Sequence, residues 1–290
     1  MMRVFDAHVH NFWWEDRTSG ADFIDALQDV AQEVGIAKIA LLGNPGPTGH
    51  DALSAAIERE PELFVGLGWL RLDDDPPSLI DEFAERGFHG IKMLGPRRNY
   101  DDEAYYRHYE KAQARGLRIL FHTGILGGPN DYLMGAAEDA WKAPPVGDDE
   151  ERLVTRLGRE ARGRGYGFGS ARMQPIYLDT IAFHFPELYL IGAHLGWPDY
   201  RTACAIARWR PRLFFDISGG DVVRSQIVQG GYLMNEIRPE KLVYGSDADH
   251  RRMKRDVEAW RSAFTEMGLT EDQQELIFYG NAARIYGVES

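Results

Sequence analysis

The residues able to do chemistry are few, and they recur in one kind of context. Asp6-Ala7-His8-Val9-His10 places two histidines two apart. On an extended strand residues i and i+2 project from one face, so both imidazoles can point at a single ion. Two neutral imidazoles begin a site for zinc, manganese, iron or nickel but do not fill its coordination shell. An isolated pair of this kind is a weak signal. Three further apolar runs end in similar residues: Leu120-Phe121-His122-Thr123-Gly124, Gly192-Ala193-His194-Leu195-Gly196 and Tyr244-Gly245-Ser246-Asp247. Taken singly, His122 and His194 read as hydrogen-bonded core histidines, and Asp247 reads as the N-cap of the next helix. Taken together with His8 and His10 they read as a metal site, because four of the nine histidines and one aspartate fall where apolar strands finish.

The elements that must position these residues alternate along the chain. Strands are expected over 3–8, 36–42, 64–70, 90–94, 117–122, 188–194, 213–217 and 242–246, where short apolar runs rich in Ile, Val, Leu and Phe occur. Helical spacing follows each of them. It spans 21–34, 51–60 with Asp51 as cap, 77–86, 103–115, 175–185, 200–209, 225–236 and 253–267, and a last helix covers 271–279. Eight strand–helix pairs imply parallel pairing with right-handed crossovers, in a closed (β/α)8 barrel or an open doubly wound sheet. The count of eight and the polar residues at strand ends favour the TIM barrel. Residues 1–290 are read as one domain. Residues 124–174 break the rhythm and are expected to form a lid-like insertion, since a structureless loop of that length is unusual.

Composition sets outer limits. With 33 basic and 45 acidic side chains the chain carries −12, and protonating all nine histidines would raise it only to −3. Such a chain is a poor partner for a nucleic-acid backbone. Cys204 is the single cysteine, so an internal disulfide and a thiolate zinc site are both excluded. No run of eighteen or more apolar residues suggests a membrane span, and the first ten residues lack the apolar core of a signal peptide. The expected location is the cytoplasm.

The chain resembles the amidohydrolase superfamily, and within it the amidohydrolase-related group of hydrolases and decarboxylases that includes amino-carboxymuconate-semialdehyde decarboxylase. The matching pieces are DAHVH at 6–10, GIKML at 90–94, FHTG at 121–124, the run from Pro175 through FPELYLIGAHLG at 185–196, YGSD at 244–247 and GNAARIYG at 280–287. They span nearly the whole chain in the family's order. The resemblance implies that His8, His10 and His122 bind one divalent metal, with zinc first and manganese, iron or cobalt as alternatives. It implies that Asp247 is a further ligand or hydrogen-bonds the water the metal activates, and that His194 faces the substrate as general acid/base or electrostatic anchor. A homodimer is also implied. Such a metal would acidify water and polarise a carbonyl, a carboxylate beside it could take the proton, and an imidazole could steady developing negative charge.

Lys92 needs separate treatment. Gly90, Lys92 and Leu94 share a strand face, so Lys92 can point inward. In binuclear relatives a carboxylated lysine at this strand bridges two metals; the alternative is a buried lysine paired with an acid. The ion pair is favoured, and with it a mononuclear site. Trp13 and Trp14 follow the first strand and could wall the pocket or pack the first loop. Asn44, Trp69 and Trp197 follow other strands at the mouth. Among Arg97, Arg98, Arg162, Arg164 and Arg172, the last is the best candidate to bind a substrate carboxylate; each taken singly reads as part of a charged surface. Asp249 and His250 read as surface loop, and His50, His89, His108 and His184 as structural.

The expected activity is hydrolysis of a small, carboxylated substrate at an amide, ester or lactone bond through a metal-activated water. Non-oxidative decarboxylation of a small aromatic or unsaturated acid is the alternative, because the family holds both reactions on one scaffold. A metal-binding barrel without turnover is a minor third reading, and a nucleic-acid binder a fourth. The expected partner is a small-molecule substrate, without nucleic acid or membrane.

Overall fold

The computed structural model describes residues 2–11, 20–126 and 169–288. Among the described residues eight strands lie in chain order around one parallel sheet: β1 Val4–His10, β2 Ile36–Leu42, β3 Phe64–Leu70, β4 Gly90–Met93, β5 Arg118–Phe121, β6 Leu190–Gly192, β7 Leu213–Asp216 and β8 Leu242–Val243. The ends of the sheet meet: Ala7 N–H donates to Tyr244 O and Asp247 N–H to His8 O, both at 2.9 Å. A nearly closed (β/α)8 TIM barrel results, and the open doubly wound sheet is excluded. The helices that follow the strands are α1 Gly20–Val34, α2 Pro47–Arg59, α3 Leu79–Glu85, α4 Tyr106–Arg115, α5 Tyr177–His184, α6 Tyr200–Trp209, α7 Gly220–Gly230 and α8 His250–Glu266. No helix among the described residues is long and apolar enough to cross a membrane.

The alternation of strand side chains builds two cores. Outward residues such as Ile39, Ile91, Ile119, Leu190 and Phe215 pack under the helices, while inward residues such as Ala40, Val65, Leu67, Leu120, Ile191 and Phe214 fill the barrel. The last helix among the described residues, α9 Asn281–Tyr286, closes the bottom of the barrel: the Tyr286 ring lies 5.5 Å from the Phe5 ring, and both belong to the inner core. The opposite end, where the strands finish, is left for polar residues.

β1 is irregular in a way that matters. Its register against β2 shifts between Asp6 and Val9, the signature of a bulge. Phe5 and Ala7 face the inner core, and Val9 faces the outer one. The bulge therefore turns His8 and His10 together toward the barrel mouth and leaves Asp6 on the other side. There Asp6 accepts from Ser246 N–H at 2.9 Å and stitches β1 to the segment after β8. Simple alternation would have put Asp6, His8 and His10 on one face.

Several boundaries move from the sequence expectation. α2 begins at Pro47 after Gly46, not at Asp51, since proline at the first helical position fixes the backbone a turn earlier. The helix expected over 225–236 is instead α7, which ends where Gly231 adopts φ 61°. Asp249 is buried and caps α8, accepting from Arg251 and Arg252 N–H; neither the surface-loop reading of Asp249 nor the capping alternative for Asp247 holds. Of the segment expected to form a lid, 127–168 lie outside the described residues, as do Trp13, Trp14, Arg162 and Arg164.

Candidate metal centre

His8 and His10 are carried by β1 itself. The other three side chains sit just beyond the strands, on backbone that has already turned. His122 follows β5 by one residue. His194 (φ 59°) and Asp247 (φ 48°) both occupy the left-handed region. Non-glycine residues there cost roughly 1–2 kcal/mol each, and such strain persists only where the surroundings impose it. The surroundings here are close: Thr123 Oγ1–H donates to Ala193 O at 2.5 Å, and Ile125 N–H donates to Trp197 O at 2.8 Å, so the turns after β5 and β6 are laced together.

Gly124 makes that approach possible. It has φ 86°, and a Cβ there would sit 1.8 Å from Trp197 O. Gly124→Ala is expected to destabilise the fold by roughly 2–4 kcal/mol, from left-handed backbone and overpacking together. Thermal melting checks this; a midpoint equal to that of the unsubstituted protein would contradict the packing described.

His8, His10 and Asp247 come together: one donor atom from each lies within 4.8 Å of the others. Asp247 Oδ1 is 3.6 Å from His8 Nε2 and 3.5 Å from His10 Nε2, and Asp247 Oδ2 is 4.0 Å from His194 Nε2. His122 stands at the edge of this group, with its Nδ1 3.3 Å from His194 Nε2. Lys92 points inward from β4 and places Nζ 3.2 Å from His8 Nε2. Trp69 flanks the mouth, its ring 6.0 Å from that of His10. Arg172 lies on the rim, its carbonyl accepting from Tyr100 N–H at 3.3 Å; among the described residues no hydrogen bond or ion pair joins it to the cluster. Arg97 and Arg98 pair with Asp74 and Asp102 on the surface.

Two residues that the sequence reading passed over complete the site. Asp216, the last residue of β7, is fully buried and accepts from His8 Nδ1 at 2.9 Å. Ser218 follows it, also buried, with Oγ 2.8 Å from His194 Nδ1. The signal was in the sequence as Phe214-Phe215-Asp216, an apolar strand ending in an acid, the same pattern used for the other strands.

The charges follow from burial and neighbours. Burial, helped by Lys92, His8 and His194, brings the His10 imidazolium down to about 3 against the pull of Asp247. Burial likewise lowers His122 far below the ordinary histidine range, and lowers His194. Burial alone would raise Asp247, but its electrostatic interactions with the surrounding His8, His10, His194 and Lys92 side chains bring it down to about 2. Asp216 is held below the usual carboxylate range; burial opposes this, and His8, His194 and the Ser218 hydroxyl outweigh it. Burial brings Lys92 down to about 8. At neutral pH, Asp216, Asp247 and Lys92 together carry −1, and His10, His122 and His194 are neutral with lone pairs available. A divalent cation fits this donor set: imidazole and carboxylate donors, a net negative charge, and a second carboxylate that orients a ligating ring.

Asp216→Asn tests that last feature. The amide can no longer accept from every donor around it, so His8 loses its fixed orientation. A 10–100-fold weaker metal affinity is expected. Titration of metal-free protein measures it, and an unchanged affinity would show that Asp216 does not hold the ligand.

Comparison with known proteins identifies the family and the fold. An amidohydrolase family model matches residues 5–288. Among curated proteins nothing matches the chain. Among solved structures, 5-carboxyvanillate decarboxylase from Sphingomonas paucimobilis superposes with a TM-score of 0.63 at 14% identity, covering 100% of both chains. A probable 2-pyrone-4,6-dicarboxylic acid hydrolase from Acinetobacter baumannii, with citric acid bound, gives a TM-score of 0.62 at 14% identity over 98% of this chain and 99% of that one. A 5-carboxyvanillate decarboxylase from Novosphingobium aromaticivorans, complexed with manganese, gives 0.58 at 14% identity over 99% of this chain and 96% of that one.

Proposed function

Because the chain belongs to the amidohydrolase family, we propose that it is a metal-dependent hydrolase of a small carboxylated substrate, cleaving an ester, lactone or amide bond. The observation that carries this reading is the ionised Asp247 carboxylate within 4 Å of His8, His10 and His194 at the barrel mouth. His8, His10 and Asp247 would hold one divalent ion, with His122 as the further donor. When bound, that ion supplies Lewis-acid polarisation of a substrate oxygen and acidifies water. Asp247 takes the proton from the attacking water, since its second oxygen is aimed at the space beside His194. His194 accepts that proton from Asp247 at its bare Nε2, passes it to the leaving group, and as the transient imidazolium steadies the negative charge that develops on the substrate. Lys92 supplies a fixed positive charge inside the mouth and is proposed to pair with a substrate carboxylate. Arg172 on the rim is proposed as a second anchor, and Trp69 as an apolar wall.

A second reading is non-oxidative decarboxylation. It is favoured by the close His122–His194 pair, 3.3 Å apart, which could deliver a proton to carbon as carbon dioxide departs. The decarboxylases of similar fold are consistent with it.

A panel of small lactones, esters and aromatic carboxylic acids, run in water labelled with heavy oxygen, separates the two. Label in a new carboxylate without release of carbon dioxide is expected. Carbon dioxide release from an acid, with no label in the organic product, would replace hydrolysis by the lyase reaction. No turnover across the panel by metal-loaded protein would favour a binding barrel.

A further inference from the structure

Ser218 Oγ sits between Asp216 and the imidazoles of His8 and His194. β7 ends at Asp216, and the chain then turns through Gly219, which has φ 110°. At that φ an L side chain is strained, and a Cβ at Gly219 would lie 2.5 Å from Val223 Cγ2, so glycine suits the turn that brings Ser218 against the His194 ring.

The donors and acceptors at this point can be counted. Asp216 Oδ1 receives the backbone N–H of His194 at 2.9 Å and of Ser218 at 3.0 Å. It therefore acts only as an acceptor. Ser218 Oγ lies 2.5 Å from the same oxygen, a distance that requires the hydroxyl proton between them. A hydroxyl has one proton. Toward His194 Nδ1, 2.8 Å away, Ser218 Oγ can then only accept. His194 must carry its proton on Nδ1, which leaves the Nε2 lone pair facing His122 and Asp247. The other oxygen of Asp216 imposes the same pattern on His8, accepting from Nδ1–H at 2.9 Å and leaving Nε2 with its lone pair, toward which Lys92 Nζ lies 3.2 Å away.

We propose that Ser218 is a positioning residue that fixes the Nδ1–H tautomer of His194, so that Asp216 and Ser218 aim the Nε2 lone pairs of His8 and His194 at one point. The inference rests on the reading of His194 as the proton-transfer group. It explains why a serine hydroxyl is buried beside two imidazoles, where an apolar residue would pack at lower desolvation cost. The tautomer itself is a property of the folded chain and exists without substrate.

The test is nitrogen NMR of full-length protein labelled with 15N-histidine, with the His194 signals identified by their loss in His194→Asn. The wild type is expected to show Nδ1 protonated and Nε2 bare. Ser218→Ala is expected to shift His194 to the Nε2–H form or to a mixture, to leave metal content unchanged, and to lower kcat by roughly 10–100-fold with little change in KM. Ser218→Thr keeps the hydroxyl and is expected to restore the Nδ1–H signature. An Nε2–H form in the wild type, or an unaltered tautomer in folded Ser218→Ala, overturns the proposal. A tautomer shift in Ser218→Ala with turnover intact supports the positioning role and counts instead against proton transfer by His194.

Discussion

His8→Ala is expected to remove the bound metal and to lower turnover by on the order of 10^3-fold or more. His8 is the hinge of the site. Its Nε2 is one of the three clustered donors, and its Nδ1 is held by Asp216. Alanine removes the donor and leaves Asp216 Oδ2 buried without its partner. The loss of Lewis-acid stabilisation, several kcal/mol in transition-state terms, sets the size of the rate effect. The orphaned carboxylate oxygen costs about 1–3 kcal/mol of stability, well short of unfolding the barrel. Metal analysis, rate measurement and thermal melting on one preparation check all three. Stoichiometric metal in a folded His8→Ala protein would remove His8 from the ligand set.

His194→Asn is expected to do the reverse: full metal content with turnover down by roughly 10^2–10^4-fold, the span associated with loss of a positioned acid/base group. His194 Nε2 lies 4.0 Å from Asp247, and its Nδ1 is engaged by Ser218, so the ring can be replaced without removing a member of the three-donor cluster. Asparagine is close in shape near the ring's Nδ1 and retains a donor toward Ser218. Unchanged kcat would make His194 a structural residue. Loss of metal together with activity would move it into the ligand set.

Much of the fold is legible in the sequence because parallel barrel strands are buried on both faces and read as short apolar runs at regular intervals. Glycine after α4 marks its end for a backbone reason that holds in any context, whereas Pro47, which starts α2, was passed over in favour of Asp51. The strand ends were less visible. β6 stops at Gly192 and β8 at Val243, earlier than the apolar runs suggest, because His194 and Asp247 take left-handed backbone that no propensity scale assigns to them. The bulge in β1 was also hidden, since it arises from pairing with β2 and from the Asp6 bond to Ser246 N–H, both set by tertiary contact. The histidines could be found from composition and spacing. Asp216 ends an apolar strand as the other site residues do, but nothing of the kind marks Ser218, and the importance of both lies in which imidazole nitrogen each one faces. The gathering of His8, His10 and Asp247 across 240 residues of chain depends on barrel closure, which spacing alone implies only once all eight strands are counted.

The most direct test is metal quantitation coupled to anomalous diffraction from crystals of the metal-loaded protein. One divalent ion per chain, seated among His8, His10 and Asp247 and absent when His8 is alanine, is the predicted result. Protein that takes up no ion at this point, or an ion held by other residues, would contradict the metal centre and the hydrolytic chemistry built on it; two ions bridged at Lys92 would contradict the single-ion site.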